Sequence, residues 1–203
     1  MPYSEALIAF KLRKWEKYLN NYRLPKWEEI PNLGLYMEQV IDLLKQYLDY
    51  LPPELKEEQF ITASTIHTYV RTKVMPEPRK KKYYREHIAY LIVIMTLKQS
   101  LSIALIQKVI PMGLSQEELQ QTYDAYVKQH SLAANYFTEQ VRQIASRILG
   151  HDDVYEISAS GVEDLITLSS ILGGFSRLLS EKLLLLEGKN LEDFAETKPA
   201  EQS

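Results

Sequence analysis

Apolar residues in this chain recur at spacings of three and four, and no alternating run lasts long enough for a strand. The pattern predicts an almost entirely helical fold. Residues 4–20 fit one amphipathic helix, with Ser4 placed to cap it and Ile8, Leu12, Trp15 and Leu19 on a shared face. Pro25 and Pro31 bracket a linker. The next helix covers 35–51, with Met37, Val40, Ile41, Leu44, Leu48 and Leu51 as its buried stripe, and Pro52-Pro53 ends it. A charged stretch, ELKEEQF, leads to a short helix over 63–72, capped by Thr62 or Ser64, with Ile66 and Val70 facing inwards and Tyr69 alongside.

Residues 86–99 are nearly continuously apolar and predict a buried helix, and Ser102 caps a short one through Val109. Ser115 and Glu118 form a capping box, with Leu114 and Leu119 as its hydrophobic staple. That helix runs towards His130, and it or a successor reaches Leu149, where Gly150 reads as a stop. A second capping box, Ser160 and Glu163, opens a helix carrying Leu165, Leu168, Leu172, Phe175, Leu179 and Leu186 in a mostly heptad rhythm, with Lys182 at one seam position. Gly173 and Gly174 weaken or bend this helix unless another packs closely there. The helix either completes a monomer core or pairs with its twin. Trp15 and Trp27 are expected to pack the N-terminal helix onto the head that contains the 63–72 helix, and not to form a ligand site.

Composition adds little. Hydrophobic residues are 45% and charged residues 25% of 203, ordinary for a soluble globular protein. Cysteine is absent, so disulfides and thiol chemistry are excluded, in keeping with a cytoplasmic location. The start has no signal-peptide pattern. The longest uncharged apolar run, HIAYLIVIMTL at 87–97, is too short to span a bilayer, so no membrane association is expected. His67, His87, His130 and His151 have no metal-ligand spacing, and His151-Asp152-Asp153 is the nearest approach to a metal cluster. There is no phosphate-binding glycine loop and no nucleophile elbow. The expectation is therefore no enzyme, no metal and no cofactor.

Charge changes the picture. Between 71 and 85 stand seven bases and one acid, Glu77, a net +6 in a chain whose total is -3. Pro76 and Pro78 stiffen the approach to Arg79, Lys80, Lys81 and Lys82. Beside them the short helix turns Ser64, Thr65, His67, Thr68 and Arg71 outwards. Such a helix fits a major groove, while the lysines, Arg79, Arg85 and Tyr83 or Tyr84 hold phosphates. Lys80, Lys81 and Lys82 are the expected source of salt-dependent affinity. Arg71 serves a phosphate or a neighbouring acid, and of the two tyrosines one packs and the other faces out.

The segment ASTIHTYVRTKVMPEPRKKKYYREHIAYL resembles the DNA-binding head of the MerR-type regulators. Thr65, Ile66, His67, Thr68 and Tyr69 match that family's Thr-Leu-Arg-Tyr-Tyr, Val74-Met75-Pro76 matches its turn, and Tyr84 to Ile88 match the entry to its next helix. Leu101-Ser102-Ile103 and Ile106 resemble its later helix. His67 and Thr68 stand where the family carries arginine and tyrosine. More closely, the blocks LYMEQVIDLL, YVRTKVMP and KKKYYREHIAYLIVI make the stretch from Leu35 to Ile110 similar to domain-of-unknown-function family 1836, Firmicute proteins often described as transcriptional regulators. This resemblance implies bacterial origin and double-stranded DNA as partner.

The expected fold is thus all-α, or mainly α with a minimal wing: a MerR-like winged helix-turn-helix head plus a C-terminal helical region. The expected divisions are an N-terminal helix and linker at 1–30, the DNA-binding domain at 31–112, a dimerisation or regulatory region at 113–188 and a disordered tail at 189–203. The function expected is a sequence-specific DNA-binding regulator acting as a homodimer, its effector unspecified. The alternative is an all-helical interaction or scaffold protein whose basic loop docks an acidic partner.

Overall fold

The computed structural model describes residues 4–49, 61–144 and 162–184, and beyond them 186, 188–191 and 193. Seven α-helices stand among the described residues: α1 Glu5–Asn21, α2 Met37–Tyr47, α3 Ala63–Arg71, α4 Arg85–Leu97, α5 Ile103–Val109, α6 Gln116–Ile144 and α7 Val162–Leu184. A 3₁₀ turn, Trp27–Glu29, lies between α1 and α2. The expected stops at Pro52-Pro53 and Gly150, the stretch 54–60, the Ser160 cap, the His151-Asp152-Asp153 group and most of the tail lie outside the described residues.

Local signals placed the helix starts. Ser4 accepts the Leu7 N–H at 3.4 Å, Thr62 accepts that of Thr65 at 3.1 Å, and Ser115 and Glu118 exchange side-chain to backbone bonds of 3.3 and 2.8 Å. The sequence left open whether the helix after Ser115 is one or two. It is one, running without a break to Ile144.

The centre of the molecule is α4. From His87 to Leu97 every residue is buried, because α2, α5, α6 and α7 all pack around it. A hydroxyl pair, Thr96 and Tyr126 at 2.6 Å, ties α4 to α6. On α7, Leu168, Ile171, Phe175 and Leu178 enter the same core cluster as α4 and α6, so these four residues are buried within one chain. Phe175 stacks on Phe137 with ring centroids 5.5 Å apart. The paired glycines leave α7 unbroken, and the turn after α4 packs there: a Cβ on Gly174 would meet Gln99 Cβ at 3.4 Å.

The N-terminal segment packs chiefly on α6, with further contacts to Tyr47 of α2 and to Arg85 of α4. Trp15 meets Phe137 edge-on at 5.8 Å, and Trp27 lies 6.1 Å from Tyr123 and donates its backbone N–H to Asp124 at 3.2 Å. Arg142 fixes α1 to α6 through Glu16 at 2.9 Å. Among the described residues no helix is long and apolar enough to cross a membrane.

The winged head is not there. Among the described residues no β-strand forms; only two isolated bridges occur, Leu35 with Tyr83 and Arg79 with Lys82. The cause is His87. Arg79 and Lys82 exchange both backbone bonds at 3.0 Å, the first rung of a hairpin. Continuing the ladder would pair Glu77 with Tyr84. The imidazole takes one donor and one acceptor of that rung: Nδ1 accepts the Tyr84 N–H at 3.0 Å and Nε2 donates to the Glu77 carbonyl at 2.9 Å. Tyr83 meanwhile pairs outwards with Leu35. The hairpin stops after one rung, and the MerR-like winged arrangement expected from the resemblance is overturned.

Candidate nucleic-acid interface

The basic segment joins α3 to α4 as a chain of caps and turns. At its start α3 closes in a Schellman motif: Val74 N–H donates to Tyr69 C=O at 2.9 Å and Lys73 N–H to Val70 C=O at 3.0 Å. The residue that motif sets in the left-handed region is Lys73, with φ 55°. Glycine normally sits there, because a Cβ is penalised. Val74 and Tyr69 are both buried, which supplies the apolar contact of the motif. From α5, Gln107 donates to the Lys73 carbonyl at 3.0 Å.

The reversal at 79–82 is also unusual. Its two central residues, Lys80 and Lys81, have φ of 50° and 62°, the signature of a type I′ turn. Asparagine and glycine dominate such turns. Lys73, Lys80 and Lys81 are the only non-glycine residues with positive φ among the described residues, and all three are exposed lysines. Strain of this kind costs about 1–3 kcal/mol per residue and collects at functional sites.

The sequence-predicted site residues separate into two groups. Arg85 turns away from solvent: its Nε donates to Ile30 C=O at 2.8 Å, its Nη1 meets Glu28 at 3.1 Å, and its guanidinium lies 5.8 Å from the Trp27 ring. Arg79 pairs with Glu86 and lies 4.2 Å over the Tyr84 ring. Tyr83 is in the core at 2% exposure, and burial pushes its phenol above the ordinary tyrosine range. Arg85 and Tyr83 therefore hold the turn in place; they are not on the surface.

The second group faces out. Arg71, Lys73, Lys80 and Lys81 are exposed, Lys82 is half-buried with its Nζ 5.2 Å from the Tyr36 ring, and none of these five cations meets a carboxylate among the described residues. On α3, Ser64 and His67 are exposed and Thr65 and Thr68 partly so. Thr68 Oγ1 donates to Ser64 C=O at 3.0 Å, and Thr65 Oγ1 shares a hydrogen bond with the Thr62 cap at 2.9 Å. These hydroxyls are oriented by the helix itself.

Several residues of the site were not expected. Gly34 lets the backbone pass directly under the turn, since a Cβ there would come within 2.8 Å of Lys82 Cδ and 3.0 Å of Tyr84 Cζ. Tyr36 lies beside Lys82 and is exposed. Both come from a pairing of 34–36 with 82–84, for which the local sequence carries no signal. Lys73 as a cap was hidden because the expected glycine is absent. Among the described residues no group of His, Asp and Glu could hold a metal ion.

No curated protein and no solved structure matches the chain at a significant level. One family profile does, over residues 25–128, just over half of the chain. That span holds α2 to α5 with the whole basic segment and the first part of α6, so the chain belongs to the family of the domain of unknown function DUF1836.

Proposed function

We propose that this protein binds double-stranded DNA through the 71–82 segment and acts as a transcriptional regulator. The observation that carries the reading is the set of five cations with no acid partner among the described residues, three of them lysines held at positive φ. A surface loop under no functional demand relaxes to asparagine or glycine at such positions and intersperses acids among its bases. Here the fold fixes the lysines by His87 below and by the Leu35–Tyr83 bridge beside them. Phosphates supply the neutralisation that the chain does not. Ser64, His67, Thr68 and Arg71, on the outer face of α3, are the residues for base edges, with Thr65 setting the start of the helix.

Under this reading the chain does no covalent chemistry. The working unit is a homodimer, since one nine-residue helix reads few base pairs and two-fold operators match two-fold proteins. Its contact lies away from Phe137, Leu168, Ile171, Phe175 and Leu178, which are buried within one chain.

The test is retention of fragmented genomic DNA from the source organism at low and moderate salt, beside a variant with Lys80, Lys81 and Lys82 changed to glutamate. The expected result is a few enriched sites that survive moderate salt and vanish in the variant. Uniform retention that fades with salt would leave charge attraction alone and remove the regulatory reading. No retention at either salt would overturn DNA binding and favour an acidic protein as the partner of the turn.

A further inference from the structure

Leu35 and Tyr83 exchange two backbone bonds of 2.8 Å and both bury their side chains. Side chains alternate along paired extended backbone. Gly34 and Tyr36 on one side, and Lys82 and Tyr84 on the other, therefore belong to the opposite, outer face. There the groups interleave. Lys82 Nζ lies 5.2 Å from the centroid of Tyr36, the Arg79 guanidinium lies 4.2 Å from that of Tyr84, and Gly34 contributes no side chain between them. Tyr36 remains 54% exposed with Lys82 beside it, and Leu33 is 56% exposed next to the same bend.

A tyrosine left half in water gains free energy when a partner covers it. Its backbone does not need the ring: the Tyr36 N–H is satisfied by Gln39 Oε1 at 2.9 Å as α2 begins. The surroundings select the occupant. An aromatic ring beside Lys82, which meets no carboxylate among the described residues, with Lys80 and Lys81 next in the chain, suits a flat, polar-edged ring attached to a phosphate chain, which is a nucleotide base. A base inside a duplex keeps its faces stacked on its neighbours and has none to offer. From this juxtaposition we propose that Tyr36 stacks on an unpaired base, so that the DNA held by Lys80, Lys81 and Lys82 carries one nucleotide out of its stack at this point. The inference rests on the DNA-binding reading above and sharpens it: the preferred partner is a duplex with a bulged or extruded nucleotide over a perfect duplex.

The experiment uses the full chain and three labelled oligonucleotides of one sequence: a perfect duplex, the same duplex with a single-nucleotide bulge, and one strand alone. The bulged position carries 2-aminopurine, whose fluorescence is quenched on stacking. Affinities are measured for the parent, Tyr36→Phe, Tyr36→Leu and the Lys80, Lys81 to glutamate double variant, with circular dichroism confirming that each is folded. The expected result is that the bulged duplex binds about tenfold tighter than the perfect one. Tyr36→Phe keeps that margin and the quenching, and Tyr36→Leu loses both while still binding the perfect duplex. Equal affinity for perfect and bulged duplexes, or an unaffected Tyr36→Leu, overturns base stacking, leaves the lysine turn as the DNA contact and makes the Lys82–Tyr36 contact an internal staple. Failure of the parent to bind any of the three overturns the DNA reading and this inference together. Loss of all binding in the lysine variant alone supports the placement of the phosphates.

Discussion

Lys80 and Lys81 hold backbone angles that asparagine and glycine adopt at lower cost. Changing Lys80→Asn together with Lys81→Gly is expected to raise stability by about 1 kcal/mol and to weaken DNA retention, read by urea unfolding and by binding at fixed salt. A loss of stability would show that the two lysines are not strained. His87 works in the opposite sense. His87→Leu leaves the Tyr84 N–H and the Glu77 carbonyl without the partner they have now, and should cost about 2–5 kcal/mol in the same urea measurement. The sequence places His87 at the start of the buried helix predicted over 86–99. That much was legible. Its grip on Glu77 was not, because ten positions separate the two and nothing local links them.

His130 is buried among Phe175, Tyr22 and Tyr126, and burial pushes its pKa down to about 3. In the unfolded chain the imidazole protonates near 6.5, so between those values the unfolded state binds more protons and stability falls as pH falls. The contribution is fully present above 6.5 and is lost on acidification at up to about 1.4 kcal/mol per pH unit. His130→Phe should flatten that part of the profile relative to the parent, and denaturant midpoints at a series of pH values would show it. Parallel profiles would mean that carboxylates account for the whole acid sensitivity.

At the scale of elements, helices were legible wherever an apolar face met a capping side chain. Ser4, Thr62 and the Ser115–Glu118 pair each open a helix at or within a residue of the place the sequence indicates. The near-uniform apolar run of α4 gave its burial directly. The wing was not legible, because the residues that form its first rung are the right ones and the imidazole that prevents the second comes from the next helix. The partner of α7 was equally hidden: a heptad rhythm says that a stripe is covered, not by which chain. Phe175 resolves this by stacking on Phe137 within the core. Phe175→Ala is expected to cost about 3–5 kcal/mol and to shift tryptophan fluorescence and far-ultraviolet dichroism together. A change in oligomeric state without loss of stability would instead place this face between two chains.

Across the whole molecule, charge and packing divide the labour. One core cluster runs from Ala9 on α1 to Leu178 on α7 and includes every described helix. Five of the cations of 71–82, Arg79 excepted, sit at its edge with no acid beside them among the described residues. With five such cations the logarithm of DNA affinity should fall against the logarithm of salt concentration with a slope no steeper than about -4.5, and the triple glutamate variant should lose roughly 3 units of that slope. An unchanged slope would move the contact elsewhere. The candidate site was readable as a run of bases; which bases reach outwards was not, since Arg79 and Arg85 look identical to the others in sequence and differ only in having Glu86 and Glu28 within reach. The attachment of the turn to α4 through His87 gives the molecule a built-in reporter. A partner that recognises only the ordered turn is linked to the melting of the central helix, and at a hundred times its dissociation constant adds about 2.7 kcal/mol to the unfolding free energy. Nucleic acids of any sequence can therefore be ranked by the rise in melting temperature of the unlabelled protein, before an operator has been found.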